Sequence, residues 1–285
     1  IPAAFNTNCL SLVDRGFVYG IAHIRGGKDK GFAWYEAGKR ERKANTFSDF
    51  IAAAHHLIDA GFTGEGRIVA QGGSAGGLVM GAVANMAPRL FAGIIAEVPF
   101  VDVLNTMLDD SLPLTPPEWP EWGNPIAAKA DYENIAAWSP YDNVRAQPYP
   151  PVMAIAGLTD PRVTYWEPAK WVARLREHQT GAAPIMLKTH MEAGHAGSPG
   201  RFARLEEIAA VVVRMRLDRA RREARASGKL PGWRYLPEAA WVVQLGGLCL
   251  GVTILADDDE QSVLHIVDRH LEVSAAWRAG DPVVR

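Results

Sequence analysis

The sequence predicts an α/β protein with a mostly parallel sheet that carries helices on both faces. Short apolar segments rich in β-branched residues alternate along the chain with longer segments of helical periodicity, and Gly or Pro residues separate the two kinds. This alternation indicates βαβ units, in which each crossover helix covers the sheet. The chain has 285 residues, 48% of them hydrophobic, and can therefore bury a core large enough for such a fold.

The elements behind this prediction follow one another up to about residue 217. Apolar side chains in residues 50–60 recur at helical spacing before a glycine, whereas the proline-rich segment 113–125 is predicted as a loop. Strands are predicted at residues 16–24, 67–71, 93–98, 152–157 and 185–189. Helices are predicted at residues 50–60, 74–86, 167–178 and 198–217.

The overall composition argues against several classes of function. The net charge of -2 provides no field to attract a phosphate backbone, so we expect no nucleic-acid partner. The two cysteines, Cys9 and Cys249, form neither a disulfide framework nor a metal-binding cluster, which suits a cytoplasmic protein. Because the chain begins at Ile1 without a methionine or a signal segment, we expect it to be part of a longer protein.

A nucleophile elbow is predicted at residues 72–76. The sequence Gly-Gly-Ser-Ala-Gly matches the pattern G-x-S-x-G between a predicted strand and a predicted helix, so Ser74 is the candidate nucleophile. The glycines allow the sharp turn that this serine needs, and the backbone N–H of Ala75 would point towards a developing oxyanion. The alternatives are a flexible turn and a phosphate-binding loop. Against the second, the segment lacks the lysine of a Walker motif and the spacing of a dinucleotide-binding loop.

The candidate acid and base follow later strands, in the chain order of an α/β-hydrolase fold. Asp160 comes after the predicted strand 152–157, and His195 comes after the predicted strand 185–189. His195 would accept the proton of Ser74, and Asp160 would orient the imidazole. The alternative for Asp160 is a turn-forming role, since a proline follows it. The other histidines lie within predicted elements, near their ends or in the tail, where a solvated or satisfied imidazole is the simpler interpretation.

Several separated blocks of sequence occur in one order along residues 6–217. They are residues 12–17, 23–27, 34–36, 45–47, 72–77, 98–103, 121–125, 139–144 and 193–195. In these blocks the chain closely resembles the oligopeptidase B group of the prolyl oligopeptidase family of serine peptidases. Many matches in one order are more specific than the elbow alone.

The resemblance implies an α/β-hydrolase fold and cleavage of short peptides on the carboxyl side of lysine or arginine. It assigns substrate contacts to Phe100, Glu118 and Arg162, the last to a backbone carbonyl of the substrate; the alternative for Arg162 is a surface loop arginine. Glu118 would supply the carboxylate that a buried cationic side chain requires; the alternative is a solvated loop carboxylate. A second pocket glutamate of the family falls on Pro120 here, so the chain departs from the pattern there. Such a triad needs no metal or organic cofactor.

The resemblance also implies parts upstream of Ile1. The family has a β-propeller domain that filters substrates by size, and a tyrosine that donates a side-chain hydrogen bond to the oxyanion. Both are expected in the full-length protein, and peptides with basic residues are the expected partners.

The chain is predicted to divide at about residue 217 into a peptidase domain, residues 1–217, and an extension of unknown fold, residues 218–285, which resembles nothing in the family. Residues 239–256 are 18 residues without a charge, with basic residues before them and acidic residues after them. One interpretation is a membrane span, for which a peptidase of this kind offers no reason. The others are a pair of buried strands and a segment with no selected fold.

The sequence is therefore compatible with three functions. The leading one is a serine peptidase that acts after basic residues. The second is an esterase or acylaminoacyl-peptidase-like hydrolase on the same scaffold, since fold and triad do not fix the substrate. The third is a catalytically impaired fragment that acts only in binding or structure.

Overall fold

A parallel β-sheet forms the centre of the structure, a computed structural model that describes residue 13, residues 17–197 and residues 241–245. The strands described are β1 (Tyr19–Ile21), β2 (Ile68–Gly73), β3 (Phe91–Glu97), β4 (Val152–Gly157), β5 (Ile185–His190) and β6 (Trp241–Leu245). Their order across the sheet is β1-β6-β2-β3-β4-β5, and all neighbouring strands run parallel. The predicted α/β class with a parallel sheet is confirmed.

Helices connect the strands and pack against them. They are α1 (Phe32–Glu36), α2 (Ala44–Asp59), α3 (Ala75–Met86), α4 (Val103–Met107), α5 (Thr115–Trp122), α6 (Lys129–Trp138) and α7 (Trp166–His178). Helix α3 packs on β2 and β3, α2 packs on α3, and α7 packs on β4 and β5. Because the strands are parallel, their carboxyl ends share one edge of the sheet, where ligand sites of such folds collect.

Each strand and helix predicted within residues 17–197 is present; the strand predicted at residues 152–157 has those bounds, and the boundaries of the others are shifted. The strand predicted at residues 16–24 covers only Tyr19–Ile21, and the helix predicted at 50–60 begins earlier, at Ala44. The helix predicted at residues 198–217 lies outside the described residues. Boundaries are set by tertiary contacts as much as by local pattern, which explains the shifts.

The prediction of a loop for residues 113–125 was wrong, because this segment contains α5. Pro116 and Pro117 lie in the first turn of that helix, where a backbone N–H would have no helical acceptor anyway. Pro120 lies inside the helix on an exposed side, so the carbonyl that its missing N–H leaves free can reach solvent. Prolines at these positions are therefore compatible with the helix.

The core lies between the sheet and its helices, and α3 contributes a large part of it. Gly72, Ala96 and Ala154 are neighbours in register across β2, β3 and β4. A Cβ at Gly72 would lie 3.1 Å from Cγ of Met80 on α3, so small residues in this row allow the helix to lie close to the sheet. Leu78 and Met80 have no exposed surface, and burial of each contributes roughly 1.5–3 kcal/mol.

The start of α3 also contacts the backbone that follows β3. A Cβ built on Gly77 would lie 2.5 Å from Cα of Pro99, a separation that real side chains do not reach. Backbone would have to move for any side chain to fit at this position. Gly77 therefore fixes the distance between the helix that follows Ser74 and the neighbouring segment.

We expect Gly77→Ala to lower the free energy of unfolding by about 3 kcal/mol, because the added methyl group overlaps the Pro99 backbone. The measurement is urea-induced unfolding followed by circular dichroism. Gly20→Ala is the matched control, since a Cβ at Gly20 meets no atom of the described residues within 4 Å. Equal stability of the two variants would contradict the expectation.

Strand β6 comes from the predicted extension. Its residues pair with β1 on one side and with β2 on the other, with Val242 opposite both Tyr19 and Val69. The described residues 17–197 and 241–245 belong to one compact unit. Of the candidate membrane span at residues 239–256, the structure describes only this strand. No helix within the described residues is long and apolar enough to cross a membrane.

Candidate active site

Three loops at the carboxyl edge of the sheet carry the candidate triad. Ser74 follows β2 directly, Asp160 lies in the loop after β4, and His195 lies in the loop after β5. The register places the last residues of β4 and β5, Gly157 and His190, side by side. Parallel strands thus bring together residues that are far apart in the sequence.

Ser74 occupies a strained turn between β2 and α3. Its backbone angles are φ 56° and ψ -120°, a left-handed conformation that is rare for a residue with a side chain. The backbone N–H of Ser74 donates to the carbonyl of Glu97 at 2.9 Å, and the Ser74 carbonyl accepts from the N–H of Phe100 at 3.2 Å. A Cβ at Gly72 would lie 2.4 Å from the carbonyl oxygen of Gly76, which explains the glycine at position 72 of this motif.

A chain of hydrogen bonds joins the three side chains. Nε2 of His195 lies 3.0 Å from Oγ of Ser74, and Nδ1 of His195 lies 2.8 Å from Oδ2 of Asp160. The Asp160 side chain is fully buried, and its Oδ1 accepts hydrogen bonds from the backbone N–H groups of Arg162 and Val163. A carboxylate so placed requires the proton on Nδ1, which leaves Nε2 free to accept the proton of Ser74.

The loops that carry the acid and the base are joined by backbone contacts. A Cβ at Gly157 would lie 2.5 Å from the carbonyl oxygen of Ala193, so only glycine allows the two loops to approach this closely. The N–H of Thr159 donates to the Ala193 carbonyl at 3.2 Å, and the N–H of Leu158 donates to the His190 carbonyl at 2.9 Å. These contacts hold His195 at a fixed distance from Asp160.

A cavity beside Ser74 contains every residue that the sequence assigned to substrate binding. Phe100, Glu118 and Arg162 line it together with Ser74 and Ala75. Ala75 opens α3, and N–H groups in the first turn of a helix have no helical acceptor. The N–H of Ala75 is therefore available to an oxyanion formed next to Ser74.

Neighbouring side chains fix the orientation of Glu118. The indole N–H of Trp122 donates to Oε2 of Glu118 at 2.7 Å, one helical turn further along α5. Nζ of Lys43 lies over the Trp122 ring, 4.6 Å from its centroid, and 3.8 Å from the Glu121 carboxylate. Burial lowers the pKa of Lys43. Trp122 also packs on Phe100, with ring centroids 5.4 Å apart.

Sequence reasoning missed Trp122 and Glu167, which line the same cavity. Trp122 belongs to a block that carried the family resemblance, but its contact with Glu118 depends on the helix that was predicted as a loop. The sequence predicts only the start of a helix at Glu167. It shares the buried stripe of α7 with Trp171 and Leu175, and a carboxylate on such a stripe is unusual enough to have been a signal.

Two protein-family models match parts of this chain. The model of the prolyl oligopeptidase family matches residues 3–213. A second model, the propionyl-coenzyme A carboxylase BT domain, matches residues 208–285. The two matches meet near the domain boundary predicted at residue 217, which itself stays a prediction. Strand β6 lies within the second match and pairs with strands of the first.

Named relatives and solved structures give the same assignment for the first part. Dipeptidyl aminopeptidase BI of Pseudoxanthomonas mexicana is 52% identical over 205 residues, which are 72% of this chain and 28% of the relative. Protease 2 of Moraxella lacunata is 53% identical over 205 residues, 72% of this chain and 30% of the relative. The structure of oligopeptidase B from Leishmania major matches with a TM-score of 0.67 and 54% identity, covering 68% of this chain and 27% of that one.

The matched part of this chain thus spans less than a third of the length of these relatives. Within it, the parallel sheet and its helices match the α/β-hydrolase fold of the oligopeptidase B structures. The chain belongs to the prolyl oligopeptidase family of serine-type peptidases.

Proposed function

We propose that this chain hydrolyses short peptides on the carboxyl side of lysine or arginine, through a triad of Ser74, His195 and Asp160 and an acyl-enzyme. The observation that carries the proposal is the hydrogen-bonded chain from Ser74 to Asp160 at the mouth of a cavity that contains a carboxylate, Glu118.

Acylation begins with proton transfer from Oγ of Ser74 to Nε2 of His195 as Oγ attacks the scissile carbonyl carbon. The carbonyl oxygen becomes an oxyanion, to which the N–H of Ala75 donates a hydrogen bond. The imidazolium then protonates the leaving amine as the C–N bond breaks, which leaves an ester on Ser74. In the second half a water molecule gives its proton to His195 and attacks the ester, and Ser74 leaves with that proton restored.

Asp160 is a positioning residue for His195 in this scheme. Its two carboxylate oxygens have separate tasks, since Oδ1 accepts backbone N–H groups of its own loop and Oδ2 accepts from Nδ1 of His195. Because Asp160 is buried, its negative charge stabilises the imidazolium strongly. The carboxylate keeps its charge throughout the cycle.

The cavity supplies the selectivity in this proposal. A guanidinium or ammonium loses hydration on entering it, and the Glu118 carboxylate compensates with a charge-assisted hydrogen bond. The Phe100 ring, 5% exposed, forms an apolar wall for the aliphatic part of the substrate side chain. The side chain of Arg162 is exposed beside Ser74, a position from which its guanidinium can donate to a substrate carbonyl.

The experiment compares hydrolysis of dipeptidyl amides that end in arginine, phenylalanine or proline, for the wild-type chain and for Ser74→Ala. We expect cleavage after arginine only, and its loss in the variant by at least about 10,000-fold. Each substrate is tested with a free and with a blocked amino terminus, because one relative is named a dipeptidyl aminopeptidase.

Labelling with a fluorophosphonate separates the alternatives. A chain that is labelled at Ser74 but prefers simple esters or acylated amino acids would be a hydrolase of the second kind. A folded chain that is not labelled would be catalytically impaired. Either outcome would overturn the proposed peptidase activity, whereas selective cleavage after arginine with labelling at Ser74 would establish it.

A further inference from the structure

A second carboxylate, that of Glu167, lies in the wall of the substrate cavity. Glu167 is in the first turn of α7 and is 1% exposed, and it lines the cavity with Ser74, Glu118 and Arg162. The mechanism proposed above makes no use of this acid. Acidic side chains are almost never fully buried unless a partner stabilises them, so its position calls for a physical reason.

Hydrogen bonds hold the Glu167 carboxylate in place, and no cation among the described residues forms an ion pair with it, although the Lys170 ammonium interacts with it electrostatically. Oε2 accepts from the backbone N–H groups of Val101 at 3.1 Å and Asp102 at 3.0 Å, and Oε1 accepts from the Thr106 hydroxyl at 2.7 Å. Lys170, on the same helix, forms its ion pair with Asp102 instead. In the part of the chain that the structure describes, Glu167 has no ion-pair partner. Burial raises the pKa of Glu167 to about 7.

The same wall contains a polar atom with unused hydrogen-bonding capacity. Oγ1 of Thr164 is buried and has no hydrogen-bond partner among the described residues, and Thr164 lines the cavity with Glu167. A guanidinium carries five N–H donors, and an ammonium carries three. A wall whose carboxylate has no ion-pair partner, and whose threonine hydroxyl has no hydrogen-bond partner, among the described residues matches the needs of such a group.

We propose that Glu167 is a specificity-determining residue which, together with Glu118, selects a cationic side chain on the amino side of the scissile bond. A bound guanidinium or ammonium supplies the positive charge that the buried carboxylate lacks. The second acidic group that is missing at Pro120 is in this way supplied from α7. The inference rests on the proposed function, because only a peptidase that admits basic side chains uses this charge.

The first test measures kcat/KM at pH 8 for two dipeptidyl amides that differ only in ending with arginine or phenylalanine. In Glu167→Gln we expect the value for arginine to fall by at least about tenfold and that for phenylalanine to change by less than about twofold. Glu177→Gln, an exposed acid of the same helix, is the matched control and should change neither. Equal losses for both substrates would show a purely structural role and overturn the inference.

The second test uses the wild-type chain and so does not depend on the folding of a variant. The ratio of kcat/KM for arginine to that for phenylalanine should rise as the pH is raised from 6 to 8, because Glu167 gains its charge through about pH 7. His195 and Asp160 act on both substrates, so their contributions cancel in the ratio. The charged groups around Glu167 are Asp102, Lys170, Glu118 and Arg162.

The outcomes separate this inference from the proposed function. A ratio that rises with pH in the wild type and is flat in Glu167→Gln supports the inference. A preference for arginine that neither pH nor Glu167→Gln changes overturns the role of Glu167 alone. A wild-type chain with no preference for arginine overturns the proposed function and, with it, this inference.

Discussion

Replacement of Asp160 by asparagine is expected to lower kcat by about 10,000-fold without unfolding the chain. Oδ2 of Asp160 accepts the Nδ1 proton of His195 at 2.8 Å. An asparagine amide that presents its N–H group there favours the other tautomer, in which Nε2 carries the proton and cannot accept that of Ser74. The measurement is kcat for the arginine substrate, together with the midpoint of thermal unfolding.

Asp109→Asn is the matched control for this variant. Oδ1 of Asp109 accepts the backbone N–H of Ser111 at 3.1 Å, the same local turn contact that Asp160 makes with Arg162 at 2.8 Å, but Asp109 lies in an exposed turn. If Asp160 served only to form a turn, the two variants would have similar activity. A loss of activity confined to Asp160→Asn supports its role as the acid of the triad.

Replacement of Glu118 by glutamine is expected to lower kcat/KM for the arginine substrate by about 100-fold and to leave the phenylalanine substrate nearly unchanged. Glutamine keeps the size of the side chain and can still accept the indole N–H of Trp122, so the loss of charge is the main change. The desolvated cation of the substrate then has one fewer compensating anion. Most of the effect should be in KM, since the pocket binds the ground state and the transition state alike.

Glu133→Gln controls for a general effect of removing one acid. Glu133 lies on α6, pairs with Lys129 at the surface, and is 61% exposed. An exposed pair of this kind contributes little, so we expect no change for either substrate. A loss in Glu118→Gln that is equal for arginine and phenylalanine would contradict the assignment of Glu118 to selectivity.

Much of the fold and the order of the candidate triad could be predicted because their signals are local. The nucleophile elbow can be predicted because a serine in a strained turn needs glycines on both sides. The positive φ of Ser74 in the structure is this strained conformation. Strands β2, β3 and β4 are largely apolar segments because they lie inside the parallel sheet and are mostly buried. Residues that follow such strands necessarily come to one edge.

The helix α5 could not be predicted from its proline content. Whether a proline breaks a helix depends on its position and on where the freed carbonyl lies, which local composition does not state. This helix also affects the candidate active site, because it places the Trp122 indole N–H 2.7 Å from the Glu118 carboxylate. The prediction of a loop left Glu118 without a fixed orientation.

The contacts of Glu167 could not be predicted from the sequence either. In the sequence it is an acid at the start of a helix, a position that helix dipoles favour and that needs no further explanation. In the structure it is buried beside the cavity because residues 101–106 fold over it and donate to its carboxylate.

The sequence by itself determined the α/β class, the candidate nucleophile and the chain order of acid and base, since each depends on the turn chemistry and periodicity of a few adjacent residues. Only the tertiary structure decided the cavity beside Ser74, whose walls come from α4, α5, the start of α7 and the loop after β4. Burial, ion pairing and cavity shape depend on contacts between segments far apart in the chain, and local sequence patterns do not predict such contacts.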